Sequence, residues 1–254
     1  MQAPNVFSSV VVLSERLAES VYAVTVACPQ IAAVARAGLF LNIKCGAERL
    51  LRRPISICGV DGDKLRVVFE KKGAGTEWLS GRAAGERLDV LGPLGNGFDI
   101  PEGKIIVVGG GIGAPPLLFA AESAKGAVTA VLGFRDSSKV ILKDEFEKVC
   151  GKTYITTDDG SSGIHGTAAL PLTELLEKDE YAAVLACGPR AMMSAVAGIC
   201  MRGNVSCQVS LEERMGCGVG ACVVCACATV INGVEKMSRV CKDGPVFPAH
   251  EVIW

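Results

Sequence analysis

The rhythm of apolar and polar positions changes once along the chain, near residue 100. Before that point, short runs rich in Val and Ile at 10–13, 21–27, 39–43, 55–58 and 65–69 are separated by turn residues such as Asp61-Gly62. Many short strands without a long helical pattern predict a β-barrel. Gly92-Pro93-Leu94-Gly95-Asn96-Gly97-Phe98 is rich in chain breakers and closes this region. Beyond it, apolar strands at 105–108, 128–134, 154–157 and 183–186 alternate with helical segments near 117–124, 142–149, 170–177 and 190–199. That alternation predicts an α/β unit on a parallel sheet. An apolar run at 205–211 then leads into a third, glycine- and cysteine-rich region. The expected fold class is α+β multidomain, with units at 1–101, 102–205 and 206–254.

Composition narrows the function classes. Half of the 254 residues are apolar and the net charge is −1, with no basic run, so neither a nucleic acid nor an anionic membrane is the expected partner. Twelve cysteines would fit a disulfide scaffold in a much smaller secreted chain. Here the opening MQAPNVFSSVVV lacks a charged start followed by an apolar core and a cleavage site, so a reducing, cytoplasmic setting is expected. No apolar run approaches the length of a membrane span. The two histidines, His165 and His250, are assigned no role.

The third region carries the most specific signal. Cys217, Cys222 and Cys225 form C-x4-C-x2-C, and Cys241 follows after 15 intervening residues. This is the plant-type spacing for a [2Fe–2S] cluster, three thiolates on one loop and a fourth arriving later. Gly216, Gly218 and Gly220 let the backbone bend and bring amide N–H groups to the sulfurs. Tetrahedral zinc ranks second, because only Cys222 and Cys225 make a CxxC pair. A CxxC redox switch ranks third and four buried free thiols last. Cys227 lies outside the pattern and reads as a packing thiol.

Three further motifs suggest nucleotides. In Arg53-Pro54-Ile55-Ser56 a guanidinium and a hydroxyl flank a proline-stiffened strand, suited to a phosphate or a flavin ring. Phe69-Glu70-Lys71-Lys72-Gly73-Ala74-Gly75-Thr76 runs from a strand through glycines into a helical start, where Gly75 and Thr76 can hold a pyrophosphate. The strand at 105–108 enters Gly109-Gly110-Gly111-Ile112-Gly113 and a helix, the first unit of a nucleotide-binding sheet. Ligands of such a sheet lie at the carboxyl ends of the strands, here Gly109, Gly111 and Gly113, Arg135, Asp158-Asp159-Gly160 and Cys187-Gly188-Pro189. Arg135 suits a 2′-phosphate and Asp136 a free 2′-hydroxyl, which leaves NAD and NADP both open.

Taken in order, LLRRPISI at 50–57, GPLGNGF at 92–98, VVGGGIGAPPL at 107–117, TDDGS at 157–161, CGP at 187–189, ERMGCGVGACVVC at 213–225 and VCKDGPVF at 240–247 resemble the electron-transfer subunits of type B dihydroorotate dehydrogenases, relatives of the ferredoxin–NADP reductases. The resemblance implies FAD on the barrel, near Arg53, Pro54, Ile55 and Ser56 and near Phe69, Glu70, Lys71, Gly75 and Thr76. Glu70 departs from the family by standing where a cation would favour the flavin phosphate, leaving Lys71 or Lys72 to supply the charge. It further implies a [2Fe–2S] cluster on Cys217, Cys222, Cys225 and Cys241, and NAD near Gly109, Gly111, Gly113 and Cys187. The implied partner is an FMN-containing catalytic subunit that oxidises dihydroorotate, two copies of each chain forming a heterotetramer in pyrimidine biosynthesis. Related subunits of sulfide dehydrogenases or bifurcating transhydrogenases are the alternative. In those the first ligand tends to be Asp, where this chain has Cys217. A zinc-stabilised interaction module would leave RPIS and GGGIG unexplained.

Overall fold

A computed structural model describes residues 5–254. The N-terminal strands are β1 (Asn5–Arg16), β2 (Val21–Ala27), β3 (Phe40–Ile43), β4 (Arg53–Asp61), β5 (Lys64–Glu70) and β6 (Arg87–Leu94), with short helices α1 (Pro29–Ala32) and α2 (Ala74–Ser80) between them. They close into an antiparallel barrel in the order β1-β2-β5-β4-β3-β6. Alternation along each strand sorts the side chains. Leu41 and Ile43 of β3, Ile55 and Ile57 of β4, and Leu65, Val67 and Phe69 of β5 point into one barrel core. Their neighbours Cys58, Val68 and Ala23 face outward and are buried instead against the next unit.

That unit is a seven-stranded sheet in the order β10-β9-β8-β7-β11-β12-β15. It contains β7 (Ile105–Gly110), β8 (Val128–Phe134), β9 (Lys152–Thr157), β10 (Ile164–His165), β11 (Ala183–Cys187), β12 (Cys207–Ser210) and β15 (Val246–Pro248). All pairings are parallel except β12 with β15. Helices α3 (Ala114–Ser123), α4 (Lys143–Val149), α5 (Ala169–Lys178) and α6 (Arg190–Arg202) cover it. Strand β7 is buried along its whole length, as expected of a central parallel strand covered on both faces. Helix α3 opens with Pro115 and Pro116 in its first turn, where a missing N–H costs nothing. Leu117, Leu118 and Ala121 of α3 share an apolar cluster with the outward barrel residues Cys58 and Val68, so barrel and sheet are packed directly together.

Between β12 and β15 the chain makes an irregular loop and the hairpin β13 (Ala226–Ile231) and β14 (Val234–Arg239). Asn232 and Gly233 both have positive φ at its tip, the geometry of a tight hairpin turn. The sheet thus extends past residue 205 and takes two of its strands from the cysteine-rich region. Strands β6, β13 and β14 were not among the expected elements. Gly92 and Pro93 mask β6, and the cysteines and glycines upstream mask the hairpin.

Candidate redox site

Strand β3 lies beside the RPIS strand, β4. Asn42 pairs with Pro54, and Phe40 with Ser56, on the outward face of the barrel. Ile55 points the other way, into the core. Phe40 packs with Leu94 of β6 in the same apolar cluster as Cys225 and Cys241. The RPIS strand thus lies next to β3, whose outward side chains share an apolar cluster with two of the cysteines.

The four thiols are grouped in two pairs. The N–H of Cys217 donates to Cys222 Sγ at 3.3 Å, and the N–H of Cys241 donates to Cys225 Sγ at 3.4 Å. Further N–H groups of the loop point at sulfur: Val219, Ala221 and Cys222 at Cys217 Sγ, at 3.3–3.4 Å, and Gly220 at Cys241 Sγ, at 3.2 Å. Gly218 and Gly220 adopt positive φ to turn these amides inward. Burial alone would raise the Cys217 thiol, yet the N–H groups of Val219, Cys222 and Ala221 and the Cys222 thiol outweigh it and bring it down to about 6. Burial, followed by the contact with Cys225, pushes Cys241 up to about 12. Among the described residues no three His, Cys, Asp or Glu side chains converge as a single metal ion would require. Two pairs of sulfurs ringed by amide donors suit a binuclear cluster, in which each iron takes two protein thiolates. Cys227 lies in β13, buried in the same apolar cluster as Cys225 and Cys241, and takes no part in the N–H···S contacts that mark the two pairs.

Arg239 supports the loop from below. Its Nη1 donates to Gly220 O at 3.1 Å, while Nε and Nη2 form a fork with Asp243 at 3.0 and 3.1 Å. The Arg239 guanidinium holds the Asp243 carboxyl below its usual range. Sequence reasoning did not single out either residue; their i,i+4 spacing beside Cys241 was the available signal.

On the barrel, Arg53 and Gly75 meet although 21 residues separate them in sequence. A Cβ at position 75 would lie 2.6 Å from Arg53 Cζ. Arg53 Nη1 also donates to Leu51 O at 2.7 Å. The Thr76 hydroxyl accepts from the N–H groups of Lys72 and Gly73, at 3.0 and 3.3 Å, and so caps α2. Lys72 Nζ pairs with Glu70 at 3.0 Å and Lys71 Nζ lies 3.9 Å from Glu77, so both lysines already face a carboxylate. Phe69 is a core residue stacked on Tyr22.

At the carboxyl ends of β7 and β11 the glycines allow two loops to touch. A Cβ on Gly113 would stand 2.5 Å from the Cys187 carbonyl carbon, and one on Gly110 2.6 Å from Pro189 Cδ. Gly111, at φ +52°, has open space beside it. Cys187 is half-buried, and burial pushes its thiol up to about 12. Asp136 caps its own turn by accepting from Ser138 N–H at 2.9 Å, whereas the neighbouring Arg135 is exposed.

Comparison with known proteins agrees with this geometry. Residues 212–253 match the iron–sulfur cluster binding domain of dihydroorotate dehydrogenase B. The chain is 39% identical over 259 residues to the dihydroorotate dehydrogenase B (NAD(+)) electron transfer subunit of Desulforamulus reducens, covering 98% of this chain and 99% of the relative. The subunit of the same name from Bacillus caldolyticus is 41% identical over 256 residues, covering 95% of this chain and 96% of the relative. Among solved structures, one described as an NADH-dependent reduced ferredoxin-NADP oxidoreductase of flavin-based electron bifurcation superposes with TM-score 0.86 at 30% identity, covering 97% of this chain and 90% of that one. The ferredoxin reductase of carbazole 1,9a-dioxygenase shares the fold at TM-score 0.68 and 21% identity, covering 81% of this chain and 68% of that one. With relatives near 40% identity along almost its full length, the chain belongs to the family of dihydroorotate dehydrogenase B electron transfer subunits.

Proposed function

We propose that this chain relays electrons from an FMN-containing dihydroorotate dehydrogenase catalytic subunit to NAD, as the second subunit of a cytoplasmic heterotetramer in pyrimidine biosynthesis. A flavin can exchange a hydride with a nicotinamide and single electrons with an iron–sulfur cluster, which is the chemistry FAD and [2Fe–2S] supply when bound. The protein's part is placement. Arg53, with Pro54 and Ser56 on the outward face of β4, holds the flavin. Gly75 leaves room for the Arg53 guanidinium, and Thr76 fixes the turn that ends the binding loop. Gly109, Gly111 and Gly113 admit the nicotinamide nucleotide to the carboxyl end of β7, with Cys187 packed beneath. Cys217, Cys222, Cys225 and Cys241 ligate the cluster. The proposed units follow the same division, residues 1–101 for flavin, 102–205 for nucleotide and 206–254 for the cluster, the last lending β12 and β15 to the sheet.

The observation that carries this reading is that β3, the paired neighbour of the RPIS strand, meets the cysteine region: Asn42 reaches the Cys217 carbonyl and Phe40 shares an apolar cluster with Cys225 and Cys241. The likeness to the NADH-dependent reduced ferredoxin-NADP oxidoreductase favours a second reading, a reductase subunit of another flavin complex. Reconstitution separates the two. The purified chain is expected to reduce dyes with NADH and to leave dihydroorotate untouched, and adding the catalytic subunit should create dihydroorotate:NAD activity. Dihydroorotate oxidation by the chain alone, or no coupling on mixing, would overturn the proposal.

A further inference from the structure

The stretch Gly92-Pro93-Leu94-Gly95-Asn96-Gly97-Phe98, to which the sequence assigns no ligand or cofactor, is fastened to the segment after the fourth cysteine. Asn96 Nδ2 donates to Lys242 O at 3.0 Å and to Asp243 O at 3.1 Å, and the Asn96 N–H donates to Gly244 O at 2.6 Å. Gly95 permits this approach, since a Cβ there would lie 2.9 Å from Gly244 O. A second barrel amide reaches the other thiol pair. Asn42 on β3 is 1% exposed, and its Nδ2 approaches the carbonyl of Cys217 at 3.5 Å. It presses on the loop so closely that a Cβ on Gly218 would stand 2.5 Å from it. Among the described residues its Oδ1 has no partner.

A buried amide with an idle acceptor costs free energy that an apolar side chain of the same shape would not. Asn42 is thus poorly explained as core packing, and what its amide does is hold the peptide of the first cysteine. Asn96 does the same for the three peptides after the last cysteine. The two contacts come from β3 and from the end of β6, which are paired neighbours in the barrel.

We propose that Asn42 and Asn96 are positioning residues, a barrel clamp with one amide on each thiol pair. The clamp fixes Cys217 and Cys222 through Asn42, and Cys225 and Cys241 through Asn96, at a set distance from the flavin strand β4. The barrel, rather than the glycine-rich loop, then determines how far an electron travels between flavin and cluster. The inference rests on the proposed cluster and adds to it the residues that aim it.

The test uses the holo chain as purified, in wild type, Asn96→Ala and Asn42→Leu. Iron and acid-labile sulfide are counted, iron release to a chelator is timed, and reduction by NADH is followed by rapid mixing at the flavin and cluster absorption bands separately. Partners that orient metal ligands are commonly worth about 10–100-fold in metal affinity or activity. Asn96→Ala is therefore expected to release iron about tenfold faster, and to slow cluster reduction about tenfold relative to flavin reduction. Asn42→Leu removes the idle acceptor, so its thermal unfolding temperature should hold or rise while the same hand-off slows. If Asn96→Ala does not assemble a cluster, Asn42→Leu decides, and a variant that keeps FAD yet assembles no cluster is the extreme form of the expected result. Wild-type iron release and hand-off in both variants would overturn the clamp while leaving the cluster assignment intact. A wild-type chain without iron and sulfide would instead overturn the cluster assignment, and the clamp with it.

Discussion

The guanidinium of Arg53 lies against Gly75, so near that a Cβ at position 75 would stand 2.6 Å from Cζ. Gly75 sits in α2, where alanine is intrinsically the better helix former. Gly75→Ala should therefore leave the helix intact and displace only the arginine. A lost charge-assisted hydrogen bond is worth about 1.5–3 kcal/mol, so FAD affinity is expected to fall about tenfold or more, with Arg53→Ala falling at least as far. Flavin retained after dialysis and flavin titration measure both; unchanged FAD content would remove Arg53 from the site.

Four ligands imply about two irons and two sulfides per chain. Cys225→Ser is expected to lose the cluster and Cys227→Ser to keep it, because Cys227 is a buried β13 residue whose sulfur receives none of the N–H groups that ring the other four. Iron and sulfide analysis with visible spectra reads the result. The reverse pattern would shift the ligand assignment.

Arg66 joins three elements at the contact between barrel and sheet. From β5 it reaches Glu145 of α4 at 2.5 and 3.3 Å and Glu15 of β1 at 3.1 Å. Arg66→Met should cost about 1–3 kcal/mol in chemical unfolding, since it leaves the partly shielded Glu15 and Glu145 carboxylates without the guanidinium they share. Glu145→Gln added to Arg66→Met should recover part of the loss. Additive losses in the double variant would mean the two groups do not interact.

Glu122 of α3 lies near the same group. Burial first, then the nearby Glu145 charge, raise its carboxyl above the ordinary 4.5, with Arg66 opposing them. A carboxyl raised in the folded state binds its proton more tightly there than in the unfolded chain. Its contribution to stability is thus greatest below the unfolded value and is lost as pH rises through the folded one. Glu122→Gln, fixed in the neutral form, should be more stable than wild type at pH 7, and the advantage should vanish near pH 4. Thermal melts across that range would show an equal gain at both ends if Glu122 acted only through packing.

What the sequence made legible was set by how local each signal is. Strand β2 was readable to the residue, and the cysteine spacing marked the four thiols that the fold groups in pairs, because each pattern is read from local spacing. Strand β6 was hidden by Gly92-Pro93, breakers that a closing barrel strand tolerates at its end. The roles of Asn42, Asn96 and Arg239 were not legible, since each is defined by carbonyls elsewhere in the chain: 175 residues away for Asn42 and 146 for Asn96. Phe69 and Ile55 show the opposite limit. Their places within the motifs are visible in the sequence, but only strand alternation in the closed barrel shows that both side chains point into its core.

Strand β15 returns from the cysteine-rich region to lie antiparallel on β12, pairing Val209 with Phe247 and Ser210 with Val246. It follows directly on the segment held by Asn96 and Cys241. If the proposed cluster fixes the segment before it, this connection would tie the cover of the sheet edge to the state of the thiol pairs. When the cage opens, β15 loses its anchor, and the backbone N–H and C=O groups of Cys207–Ser210 become an uncovered edge able to template pairing with another chain. The chain stripped of iron and sulfide is then expected to associate through this edge, which light scattering before and after metal removal would check.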